Sequence, residues 1–153
     1  MKHNLLLLFT FSMIVIACSS AKRAKTPIKQ GISGFIREAR GNQMPSPDRP
    51  RFEPPGIKTT VFIYEPTNIT DVTRVGVSPV YTVIHTKLVA SVETDSTGAF
   101  AIALPVGSYS LFMQQGKQYY ANLFDTLNNI ALFTVEEDKI TKISLTVSSS
   151  ATY

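Results

Sequence analysis

The sequence predicts an all-β domain, a sandwich or barrel of short antiparallel strands. Three observations predict it. Apolar residues recur with period two in many short runs, the mark of a pleated strand with one buried face. Turn-forming Gly, Pro, Asp, Asn and Ser collect between those runs at spacings near ten residues. No stretch sustains a helical period.

The runs follow one another along the chain. "GISGFIR" (residues 31–37) places Ile32, Gly34 and Ile36 on one face. "TTVFIYE" (59–65) and "VYTVI" (80–84) are rich in the β-branched and aromatic residues that suit a pleated surface. "LVASVETD" (88–95) sets Leu88, Ala90 and Val92 against Val89, Ser91 and Glu93. "DSTG" (95–98) is turn chemistry, because Asp and Ser bond the local backbone and Gly accepts a positive φ. "AFAIALP" (99–105) aligns Phe100, Ile102 and Leu104, and "VGSYSLFMQ" (106–114) follows a Pro-Val-Gly turn. "KQYYANLF" (117–124), "NIALFTVEED" (129–138) and "KITKISLTV" (139–147) complete the series. Two pieces interrupt it. "GNQMPSPDRPRFEPPG" (41–56) holds five of the nine prolines and cannot be a central strand, since proline removes ladder donors. "PTNITDVTRVGVSP" (66–79) is a second irregular piece.

"GISGFI…GNQMP" and "VETDSTGAFAIALPVGSYSL" together resemble the carboxypeptidase regulatory-like domain. The likeness lies in a Gly-x-Ile-x-Gly opening strand, then a T-D-x-x-G turn, an F-x-I strand and an L-P-x-G-x-Y turn. It implies a transthyretin-like (prealbumin-like) Greek-key β-sandwich of about seven strands over residues 31–148. It also implies a tight turn at Gly98, a chain reversal at Pro105 and Gly107, and entry of Tyr109 into the core beside Leu111. The proline-rich loop, residues 41–57, departs from the family's shorter connection. A loop of that length is expected either to cover one end of the sandwich or to make contacts.

The chain carries one cysteine, so no internal disulfide can form. Lys2 and His3 precede a 13-residue apolar run, "LLLLFTFSMIVIA", too short for a spanning helix, which takes about 20 residues. A basic start, a short apolar core and a small residue before a cut form the secretory signal pattern. "VIAC" (15–18) resembles the bacterial lipoprotein lipobox, which implies cleavage before Cys18 and a diacylglyceryl thioether on its thiol. Several acyl chains would then hold the protein to a membrane without spanning it. The expected organisation is a signal peptide at 1–17, a flexible tether at 18–30, the sandwich at 31–148 and a tail at 149–153. Basic residues after Cys18 (Lys22, Arg23, Lys25, Lys29), where some surface-exported lipoproteins carry acidic ones, favour an anchor facing the periplasm, and the expected location is the outer membrane of a Gram-negative bacterium.

The formal net charge is +4, and much of it sits in that tether. Nucleic-acid binding wants a basic face with interleaved aromatics on the domain itself, and none is written here. No cofactor, metal or catalytic set is expected either. After cleavage His85 is the one histidine and no cysteine but Cys18 remains, so zinc-ligand spacing is absent. The same scarcity removes the histidine sets of transthyretin-like hydrolases and intradiol dioxygenases. A hydrolase would have to gather His85, Arg37 or Arg74 and a carboxylate. No Gly-x-Ser-x-Gly elbow accompanies them.

The expectation is therefore a non-enzymatic, lipid-anchored envelope protein whose sandwich binds or assembles with a protein partner. The alternative is a binder of a small ligand such as a glycan or peptide fragment. Tyr119 and Tyr120 are its candidate contacts, because adjacent residues of a strand point to opposite faces and one ring should be exposed. "DST" (95–97) and "DTL" (125–127) resemble an Asp-Ser/Thr O-glycosylation acceptor of some Gram-negative bacteria, which implies Ser96 and Thr126 as candidate acceptors.

Overall fold

The computed structural model describes residues 27–42 and 53–152. Cys18, the expected signal peptide and most of the expected tether lie outside those residues. Ten strands pack as two facing sheets: β1 (Gly31–Asn42), β2 (Thr60–Tyr64), β3 (Val72–Arg74), β4 (Val80–Ile84), β5 (Leu88–Glu93), β6 (Ala99–Ala103), β7 (Gly107–Gln115), β8 (Gln118–Tyr120), β9 (Leu132–Val135) and β10 (Ile140–Thr152). The smaller sheet has the order β10-β1-β6. β1 is antiparallel to β6 and parallel to β10. The larger sheet runs β3-β4-β8-β7-β2-β5, and β9 also pairs β7.

The expected β-sandwich is thus present, with ten strands in place of about seven. The difference has two sources. β8 and β9 share one edge of β7, meeting residues 113–115 and 107–110 in turn. The chain leaves that edge between them, at residues 121–131, so the runs 117–124 and 129–138 each give one short strand on it. The irregular piece 66–79 supplies β3 and, with β4, makes a ribbon on the outer side of β8.

The core between the sheets follows from the period-two runs. Ile32 and Ile36 from β1, Val61 and Ile63 from β2, and Leu111 and Met113 from β7 are almost wholly buried there. Phe100, Leu104, Ile143, Leu145 and Val147 complete it. Full burial of side chains this size contributes roughly 1.5–3 kcal/mol each. Tyr109 enters beside Leu111, and its hydroxyl donates back to the Pro105 carbonyl at 3.1 Å.

Two expected boundaries move. Gln30 belongs to the domain and not to the tether. Its Nε2 donates to the Leu104 carbonyl at 2.9 Å, and its Oε1 accepts from the Asp138 amide at 3.0 Å. Residues 149–152 are not a tail, because β10 continues through them, paired with the end of β1. The proline-rich piece is pinned at its second shoulder. The Glu38 amide donates to the Pro55 carbonyl at 3.0 Å, and the Ile57 amide to the Ile36 carbonyl at 3.0 Å. Residues 43–52 lie outside the described ones.

The turn at Gly98 connects the two sheets. Its φ is +80°, and a Cβ there would lie 2.2 Å from the Ile36 carbonyl oxygen. Gly98→Ala therefore meets both backbone strain and a backbone clash. We expect it to lower unfolding free energy by about 2–4 kcal/mol in denaturant titration. A loss below half a kcal/mol would show that this turn does not constrain the fold.

Candidate interaction surface

The central strands of the larger sheet, β2 and β7, are buried on both faces, and that builds the surface. "VFIY" and "LFM" carry apolar residues without a polar alternate, the pattern of a strand covered on two sides. Their second set of side chains faces away from the sandwich core. Tyr64, Tyr81, Phe112, Ala121, Ile130 and Ala131 form a separate buried cluster there. Phe62, Ile69, Val72, Ile84 and Tyr119 pack against it. Edge-to-face ring contacts link Phe112 to Tyr64 at 5.7 Å and to Tyr81 at 5.6 Å. Such pairs add about 0.5–1.5 kcal/mol beyond area burial.

The cover is made by two insertions, residues 65–79 and 121–131. Each is held by its own local chemistry. Asn68 caps the 3-10 turn Ile69–Asp71, and the Asp71 carboxylate answers by accepting from the Asn68 amide. Asp125 closes the other insertion. Its Oδ1 accepts from the amides of Leu127 and Asn129, both at 2.8 Å, and its Oδ2 accepts from the Asn129 side chain at 2.8 Å.

The insertions are then joined to each other. The Ile69 amide donates to the Asn128 carbonyl at 3.1 Å, and the Ile130 amide to the Thr67 carbonyl at 2.8 Å. Asn68 Nδ2 donates to the Leu127 carbonyl at 2.8 Å. Beneath them the buried polar groups are satisfied. The Thr67 amide donates to Ser110 Oγ at 3.0 Å, and the Thr67 and Thr86 hydroxyls lie 2.6 Å apart. The tips stay in solvent and are apolar. Val77 is 92% exposed and Leu127 73%, with Val75, Leu123 and Phe124 also exposed. The Arg74 guanidinium sits over the Phe124 ring at 5.9 Å and donates to the carbonyls of Val77 and Ser78.

The two predicted contact tyrosines are placed otherwise than expected. Tyr120 is fully buried in the sandwich core, and its hydroxyl lies 2.9 Å from Ser148 Oγ. Tyr119 points to the opposite face but is half-buried, its ring edge-on to Phe62 at 5.2 Å and Tyr64 at 6.2 Å. Alternation holds for the pair, but the insertions remove the solvent from the second face. Burial raises the Tyr64 hydroxyl's pKa, and so does its hydrogen bond with Tyr119. Neither tyrosine is an open stacking platform.

Ser96 and Thr126 are both exposed on turns, and the two turns are built alike. In each, an Asp carboxylate caps the second and fourth following amides. The third following residue has positive φ, +80° at Gly98 and +62° at Asn128. The hydroxyl residue stands second in the turn both times. His85, Arg37 and Arg74 have separate partners. His85 is exposed with Nε2 3.3 Å from Thr73 Oγ1, and Arg37 pairs with Glu53 at 2.5 Å. Among the described residues no group of three His, Cys, Asp or Glu side chains could hold a metal ion.

Comparison with protein-family models, with curated proteins and with solved structures finds no match for the chain. Its functional reading rests on its own residues.

The Asp125 turn gives a pH prediction. Hydrogen bonds from the Asn129 side chain and amide hold the Asp125 pKa below the ordinary aspartate value, with the Leu127 amide helping. A depressed pKa contributes stability above the unfolded-state value and loses it as pH falls through the folded-state value. The Leu127 and Asn129 amides should therefore lose their hydrogen-bonded chemical shifts only below the ordinary aspartate range. An NMR titration reads this, and Asp125→Ala should remove the transition at every pH.

Proposed function

We propose that this is a non-enzymatic, lipid-anchored cell-envelope protein. Its sandwich serves as a protein-binding or assembly module, and the joined insertions are its contact surface. One observation carries the reading. Five of the eleven exposed large apolar side chains of the described residues lie on these two insertions. Function concentrates on loops that a rigid scaffold positions, and here the scaffold is a second core beneath the loops. Apolar tips around one arginine match the composition of an interface centre, where aromatic and Arg residues are enriched and other charges depleted.

The anchor comes from sequence. "VIAC" supports lipid attachment at Cys18, and the basic residues after it support an anchor facing the periplasm, with the outer membrane as the proposed location. A carboxypeptidase regulatory-like ancestry agrees with the strand order. Removing the β3-β4 ribbon leaves β6-β1-β10 facing β5-β2-β7, with β8 and β9 as one interrupted edge strand. Carboxypeptidase regulatory-like domains often appear as accessory domains on peptidases and outer-membrane receptors, which suits a module that offers a surface and not a cleft.

Cross-linking mass spectrometry on intact envelopes tests the proposal. The wild type is expected to capture one partner reproducibly. Val77→Glu with Leu127→Glu should cut that yield at least tenfold while far-UV circular dichroism stays unchanged, since both side chains lie in solvent. Cys18→Ser should lower it by releasing the protein from the membrane. An undiminished yield in the double variant would remove the insertions as the contact surface.

The matched turns support Ser96 and Thr126 as O-glycan acceptors. Peptides spanning each, taken from protein isolated from its native envelope, are expected to carry added mass. Ser96→Ala and Thr126→Ala should each abolish one addition, and unmodified peptide masses would remove this reading.

A further inference from the structure

β10 is the longest strand and lies at the edge of its sheet. Among the described residues it pairs with β1 on one side and with no strand on the other. An unpaired edge offers a row of free amides and carbonyls to another strand. The other long edge, β5, carries an irregularity opposite Ile63 and Tyr64, which disturbs its ladder. β10 is regular from Ile140 to Val147.

Two features bound the open part. At its start, Thr141 Oγ1 donates to the Thr134 carbonyl of β9, turning that end toward the other sheet. After Val147 the register shifts, and the Ser148 amide donates to the Tyr120 hydroxyl at 3.1 Å. Between them runs "ISLTV", residues 143–147. Ile143, Leu145 and Val147 face the core, while Ser144 is exposed and Thr146 half-buried on the outer side.

This segment is nearly a palindrome about Leu145, reading β-branched, hydroxyl, leucine, hydroxyl, β-branched. A two-fold axis through an antiparallel pair would use that symmetry, because each residue meets the one mirrored about the centre. Ile143 would lie opposite Val147 of the second copy and continue the inner apolar layer. Ser144 would lie opposite Thr146 of the second copy, and hydroxyl pairs of this kind are favourable across strands. The one nearby charge, Lys142, meets Ser148 of the second copy. The two lysines would then stand six residues apart along the strands, about 20 Å, beyond the screening length at physiological salt.

We propose that the chain forms a two-fold dimer by antiparallel pairing of β10 edges centred on Leu145. The product is a continuous sheet, β6-β1-β10 joined to its copy. The inference does not rest on the lipid anchor or on the insertion surface, which lies on the other sheet. Anchoring to a shared membrane would raise the effective concentration for pairing.

Sedimentation velocity of the full chain in detergent micelles, across micromolar to millimolar loading, tests it. The wild type is expected to pass from monomer to dimer. Ser144→Lys with Thr146→Lys sets like charges directly opposite each other and should raise the dissociation constant roughly tenfold or more. Ser144→Glu with Thr146→Glu should do the same. An equimolar mixture of the two variants should recover dimer, with the Lys chain paired to the Glu chain. A wild type that stays monomeric overturns the proposal. So does a Lys variant that dimerises as well as wild type, or a mixture that fails to recover.

Discussion

The structure depends on burying both faces of the central strands of one sheet, and Phe112 is where that constraint is sharpest. Its neighbours Leu111 and Met113 point into the sandwich, so Phe112 must point away from it. Left alone it would present a bare ring to water on the outside of a central strand. Tyr64 and Tyr81 close on it edge-to-face from the two flanking sides, and Ala121, Ile130 and Ala131 complete the enclosure. The insertions are therefore not loops hung on a finished sandwich. They are the second wall of a small core, which explains why long connections can be ordered at all.

That wall is fixed by polar junctions as much as by apolar burial. Asn68 and Asn129 lie 61 positions apart and meet side chain to side chain at 3.3 Å. Asn68 both caps its own turn and reaches across to Leu127. Asp125 organises the opposite turn through hydrogen bonds within that turn. Each insertion thus has a locally hydrogen-bonded turn, and a few hydrogen bonds join the two. The apolar tips are what remains outside once these contacts are made. Exposed Val77 and Leu127 have no packing role in the described residues, which is why a contact role fits them.

Much of the sandwich was legible in the sequence. Period-two runs marked the strands that line the inter-sheet core, and "DSTG" marked the turn where Gly98 adopts positive φ. Tyr109 lies where its alternation with Leu111 puts it. The outer core was not read, although a signal existed. "VFIY" and "LFM" lack polar alternates, and the expectation of one solvated face led to an exposed tyrosine at 119 or 120. The joining of the insertions had no local signal, since it depends on contacts far apart in sequence. The end of β10 was hidden by composition. "SSSAT" reads as a tail, and only the parallel partner strand β1 makes it β-structure.

The measurement that tests this account most directly is native-state hydrogen exchange on the amides that join the insertions. Ile69 donates to Asn128 and Ile130 to Thr67 across the join, and Ala131 donates to Leu123 within the second insertion. If the second core orders the insertions, these amides should be protected to nearly the same degree as Ile36 in β1, whose amide donates to the Gly98 carbonyl within the sandwich, because all open with the fold. Protection no greater than that of an exposed loop amide would contradict it. The insertions would then open on their own, without the core beneath them.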